Sequence, residues 1–211
     1  MKKFILFLTA LTLHTAQAAV ISETVGQVAD HVVTSREVQI SSVVESVLFP
    51  GKNKSVQIAE INPGLPEFRA ALTNVLLEAV VSLEAANFNV TTLTEADLNS
   101  AIAKVERAVT GKKYWTKLEV SEAELRKFTQ RKLSSKDFLK FKTNSMSGII
   151  TDQEALAYYE KNRVKFGGTS FEAFKENIKS FLAQQQLEDG LRSWFEVIKR
   201  KYKVRNFLAG E

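Results

Sequence analysis

SFEAFKENIKSFLAQQQLEDGLRSWFEVIKRKYKVRNFL, residues 170–208, is the stretch on which the fold turns. Phe171, Phe174, Ile178, Phe181, Leu182, Leu187, Leu191, Trp194, Phe195 and Ile198 recur at steps of three and four, one apolar stripe on a helical period. The spacing predicts a helix from Phe171 to about Lys201, with Ser170 at its N-cap and Lys199, Arg200 and Lys201 at its negative end. At 1.5 Å per residue it runs about 45 Å, so other elements have to pack along it in succession. Gly190 interrupts the stripe and marks a close approach or a bend. Beyond it, Tyr202 to Leu208 alternates apolar with basic residues and reads as a terminal strand.

The opening of the chain has a different character. Met1-Lys2-Lys3, the apolar run Phe4 to Leu13 and the A-x-A site Ala16-Gln17-Ala18 form the three parts of a secretory signal peptide, with cleavage expected after Ala18. Export to the periplasm is the localisation this implies. No later stretch reads as a membrane anchor, and residues 19–211 are expected to form one domain.

Residue types narrow the chemistry. The chain has Cys 0 and His 2, and His14 falls in the signal, which leaves His31. A disulfide framework, a thiolate nucleophile and a cysteine zinc site are excluded, and no cofactor is implied. Paired carboxylates such as Glu95 with Asp97 or Glu188 with Asp189 fall at helix starts or on polar faces, and no phosphate loop or nucleophile motif is present. The expectation is that the protein is not an enzyme.

Charge is unevenly divided. Residues 19–110 carry 6 Lys+Arg against 11 Asp+Glu, whereas residues 111–211 carry 21 against 13. The densest basic patch runs from Arg126 to Lys142 within a helical lobe, residues 112–150. An exported protein rarely meets nucleic acid. The remaining readings are a solvated helical face, an anionic membrane surface as partner, or an acidic client protein.

Local signals fill in the rest. Val25 to Val33 reads as one strand, and Thr34-x-x-Glu37 as a capping box opening a helix with Val38, Ile40, Val43, Val44 and Val47. After the loop Lys52 to Gly64, Pro66 starts a helix to about Ala86, and Thr94 with Asp97 caps another that Gly111 ends. Ser121-x-x-Glu124 opens a helix with Leu125 and Phe128. Ser134 or Ser135 opens a further one with Phe138, Leu139, Phe141 and Met146. Thr151-x-x-Glu154 caps a helix to about Val164 that offers Leu156, Tyr158 and Tyr159 to the core. The fold expected is mainly α, with a small two-stranded pairing of the terminal segments.

These stretches carry a resemblance. VADHVVTSREVQISSVVE (28–45), ITDQEALAYYEKNRVKF (150–166) and residues 170–208 resemble the first strand and helix and the two C-terminal helices of SurA-type periplasmic chaperones. The likeness spans nearly all of residues 19–211, through motifs that are mostly caps and core positions. It departs in two places: Asp30 or His31 stands for the Asn usual in the first strand's turn, and Phe166 and Phe171 are joined by Gly167, Gly168, Thr169 and Ser170, where isomerase-bearing members carry a parvulin domain. A domain of order 100 residues does not fit there.

The resemblance implies an ATP-independent chaperone core that binds unfolded secreted or outer-membrane polypeptides and lacks prolyl isomerase activity. The alternative is an assembly subunit dedicated to one envelope or secreted partner. Candidate peptide-binding residues are the aromatic and sulfur side chains among the basic residues: Tyr114, Trp115, Phe128, Phe138, Phe141 and Met146. Each has a second reading as core, because a stripe at helical spacing usually faces inward.

Overall fold

Three of the expected helix starts close as full capping boxes. The Thr94, Ser121 and Thr151 side chains accept from the backbone N–H groups of Asp97, Glu124 and Glu154, whose carboxylates accept from the cap backbones in return. The computed structural model describes residues 22–51, 58–88 and 93–209. The expected signal peptide and residues 52–57 of the polar loop lie outside the described residues.

In chain order the elements are β1 (Thr24–Val28), β2 (His31–Thr34), α1 (Ser35–Leu48), α2 (Pro66–Phe88), α3 (Glu95–Val109) and the short α4 (Lys113–Lys117). Then come α5 (Glu122–Met146), α6 (Asp152–Lys161), a 3-10 turn (Arg163–Phe166), α7 (Phe171–Lys201) and β3 (Arg205–Asn206). The chain is mainly helical, with a small antiparallel sheet and a long C-terminal helix. Gly111, with φ 72°, ends α3 in the left-handed region as the sequence suggests.

Several boundaries differ from the sequence reading. Val25 to Val33 is a hairpin, because the chain reverses at Ala29 and Asp30, and the sheet has three strands in the order β2-β1-β3. Ala29 turns with φ 50°, and its N–H donates to the Tyr202 carbonyl at 2.6 Å, which ties the hairpin to the end of α7. The terminal strand shortens to two residues pairing with Gly26 and Gln27. Gly26 is required there, since a Cβ would lie 2.9 Å from both the Arg205 carbonyl oxygen and Leu76 Cδ2.

No helix starts at Ser134 or Ser135. With no Gly or Pro between Glu122 and Met146, helix propagation continues unbroken, and Ser135 turns its hydroxyl back to the Lys132 carbonyl at 3.0 Å. Ser170 occupies the N-cap of α7 but makes no capping hydrogen bond with its side chain.

The core falls into three clusters. One unites β1, β2 and α2 with Phe138 and Ile198, and Trp194, Phe195 and Tyr202 pack on it half-buried. A second joins α1, α3, α4 and α5 through Ile40, Val44, Val105, Leu125 and Phe128. The third lies along the first half of α7, where Ile150, Ala155, Tyr159 and Ile178 meet Phe166, Phe171 and Phe174. There α6 presents Ala155 and Tyr159 inward, whereas Leu156, expected in the core, is 42% exposed. α7 therefore runs from a small aromatic arm to the main body. α2 is long and apolar enough to cross a membrane, contrary to the sequence expectation, yet half of that stretch is buried against the body. It serves here as the central core helix.

Candidate functional site

The lobe that holds the candidate residues is fixed to the body by buried charge. Arg131 of α5 donates from Nε to Glu78 Oε1 at 2.7 Å and from Nη1 to Glu37 Oε1 at 2.5 Å. Lys132 pairs with Glu78 and, at 3.0 Å, with Glu45, while Lys136 reaches Glu45 at 3.3 Å. Three carboxylates thus face three cations across α1, α2 and α5. Burial works to lower the Arg131 pKa, but Glu78 and Glu37 outweigh it and hold the guanidinium protonated. Burial likewise pushes the Glu45 carboxyl up, and Lys132 and Lys136 together bring it below the usual carboxylate range.

Glu37 explains why the first capping box is incomplete. The Thr34 hydroxyl caps the Glu37 N–H at 3.2 Å, but the carboxylate turns away to Arg131 and to His31 Nε2, 2.9 Å from Glu37 Oε2. The network also corrects the reading of the basic patch. Lys132 is 4% exposed, so the run from Arg126 to Lys142 is not one solvated face.

The six candidate residues do not form one surface. Tyr114 and Trp115 sit half-buried on α4 against the second cluster, and Phe128 is buried within that cluster. Burial pushes the Tyr114 hydroxyl up to about 12. These three pack the helical body. Phe138 is buried too, in the first cluster, and so offers no ring to a partner in this arrangement.

Phe141 and Met146 lie elsewhere, where the end of α5 meets α7. Phe141 is 42% exposed and stacks 5.9 Å from Phe138, whose ring also lies 5.5 Å from Phe88 and 6.1 Å from Trp194. Trp194 continues to Phe195 at 4.8 Å. Met146 is half-buried beside Gly190, where a Cβ would stand 3.7 Å from its Sδ. That is an ordinary van der Waals contact, so the packing does not require a glycine there. Phe88, Phe141, Trp194 and Phe195 form an aromatic ledge, seated on buried Phe138 and flanked by Lys142, whose ammonium stands 5.7 Å over the Trp194 ring.

Sequence reasoning missed the contributions of Phe88, Trp194 and Phe195 to this ledge. Trp194 and Phe195 fall on the α7 stripe, whose helical spacing by itself reads as an inward face. Phe88 lies just past the expected end of α2. Along the arm, Tyr158 and Phe181 form a second partly open pair at 5.5 Å, with Phe181 51% exposed.

Among the described residues no group of three His, Cys, Asp or Glu could hold a metal ion. No protein-family model, curated protein or solved structure matches the chain.

Proposed function

We propose that this chain is an ATP-independent periplasmic chaperone of the SurA type, holding unfolded secreted or outer-membrane polypeptides without prolyl isomerase or other enzymatic activity. One observation carries the reading: the apolar stripe of α7 is left half covered. Ile178 and Ile198 are its buried residues, whereas Trp194, Phe195, Leu187 and Leu191 are half-buried and Phe181 is exposed. Phe88 and Phe141 extend this surface beside it.

A holdase needs such a surface. Discontinuous aromatic groups with polar rims let an extended client bury side chains in many registers, while no single contact fixes one. The likeness of residues 28–45, 150–166 and 170–208 to SurA-type chaperones supports the same reading, as does the signal-peptide pattern at the start of the chain.

The test is suppression of aggregation. Residues 19–211, mixed with a urea-denatured outer-membrane protein at equimolar ratio on dilution, should suppress light scattering without nucleotide. No suppression of several unrelated clients would refute the holdase reading. Suppression of one client alone would favour the dedicated assembly subunit.

A further inference from the structure

We propose that the cleft between the second half of α2 and the first half of α5 is a docking site for an acidic, extended polypeptide segment. This deepens the chaperone reading and rests on it for the kind of partner, but its evidence is separate from the aromatic ledge.

The cleft has a volume of about 550 Å³. Pockets that hold ligands run roughly from 300 to 1,000 Å³. Small side chains keep it open: Ala85 and Ala86 on α2 face Ala123 on α5. Its charged lining is of one sign, with Arg126, Lys127 and Arg131 present and no carboxylate. Arg131 is already paired with Glu37 and Glu78, and Arg126 with Glu95, so the positive charge open to an anion is that of Lys127 and of Arg126 by exchange.

The three cations are differently available. Arg131 is anchored through Nε and Nη1 and its Nη2 is buried, so it forms part of the cleft wall and is the least available of the three. Arg126 is held by Glu95 and by Asn99 at 3.0 Å, in a pair that is exposed and so open to competition. Among the described residues Lys127 makes no ion pair; its ammonium stands 5.9 Å over the Phe128 ring. Lys127 is therefore the cation that a ligand can engage at least cost.

Length distinguishes a polypeptide from a small anion. The lining runs along α5 from Ala123 to Ser134, about 16 Å at the helical rise, which accommodates roughly five residues of extended chain.

Fluorescence anisotropy of residues 19–211 with a labelled (Glu-Ser)5 decapeptide, against (Lys-Ser)5, tests this at low salt. The acidic peptide should bind and the basic one should not. Lys127→Glu should weaken binding about tenfold or more, as expected when an attractive contact becomes a repulsive one. Ala123→Phe should do the same by filling the cleft, with the unfolding midpoint measured alongside for both variants.

Equal binding of the two peptides would overturn the proposal, as would unaltered binding by both variants. Competition by citrate at matched carboxylate concentration, as strong as by unlabelled peptide, would show a small-anion site instead. Aggregation suppression by the unsubstituted chain on a client without acidic runs reads the chaperone proposal independently. The two can fail separately.

Discussion

Arg131 and Glu37, 94 positions apart, are joined by a 2.5 Å hydrogen bond with both side chains at or below 10% exposure. This bond and its counterpart to Glu78 fix α5 to α1 and α2 at a point where each helix also carries core residues. Removing one partner of a buried pair leaves the other charge desolvated, at roughly 3–5 kcal/mol. Arg131→Met should lower stability by that order in urea unfolding. The double change Arg131→Met, Glu37→Gln should recover part of the loss, because it removes the buried Glu37 charge while Glu78 keeps Lys132 as its partner. A double variant no more stable than the single one would show that the network acts through packing alone.

Acid should weaken the same lobe at a second point. Arg36 donates to Glu124 in a two-bond pair, Nη1 to Oε1 at 2.5 Å and Nη2 to Oε2 at 3.1 Å, and holds that carboxyl down at about 2. A carboxyl whose folded pKa lies below its ordinary value of 4.5 contributes stability that is present above 4.5 and lost as pH falls towards 2. Glu45 is depressed as well and adds in the same direction. Unfolding midpoints should therefore fall between pH 4.5 and 2. The gap between the parent chain and Glu124→Gln should narrow over that window, and a gap independent of pH would contradict the assignment.

The C-terminal segment locks the sheet to the end of α7. Tyr202 donates its hydroxyl to Glu84 at 2.6 Å and accepts from Asn87 at 2.7 Å, and the Phe207 N–H donates to the Val25 carbonyl at 3.0 Å. Ending the chain after Lys201 removes these bonds and bares the β1 edge. Calorimetry of that truncation should show a lower, broader transition. Ala29→Gly should act oppositely, because a residue at φ 50° is freed of Cβ strain worth about 1–2 kcal/mol. A midpoint unchanged by the truncation would mean that the two ends are energetically independent.

The elements were legible where local physics decides them. Thr94, Ser121 and Thr151 cap helices because a short polar side chain followed three positions later by a carboxylate satisfies orphan N–H groups with no help from distant residues. The hairpin at Ala29 was not legible, since an alanine at positive φ carries no local signal and is held by Tyr202 from the far end of the chain. The candidate site fared less well for a similar reason. Periodicity places Phe138 and Phe141 on one helix but cannot say that Phe88 and Trp194 bury the first and leave the second open. Lys132 looks like any surface lysine until Glu45 and Glu78 are brought to it.

Phe138 and Phe141, three positions apart, should therefore give opposite readouts. Phe138 is 2% exposed at the centre of the ledge, so Phe138→Ser removes core volume and should cost roughly 3–5 kcal/mol in stability. Phe141 is 42% exposed, and Phe141→Ser should move the unfolding midpoint little while raising the dissociation rate of an unfolded client, because exposed rings contribute contact area to a partner. Charge acts on the other rate. Lys140→Gln with Lys142→Gln should slow association at low salt and flatten its salt dependence, leaving dissociation nearly unchanged. Lys132 is unsuitable for that test, since its removal would leave Glu78 buried with one partner fewer. Stopped-flow binding of a labelled, denatured outer-membrane protein separates the two rates. If Phe141→Ser leaves both of them unaltered, the ledge does not hold clients, and the open face of α7 around Phe181 becomes the surface to vary.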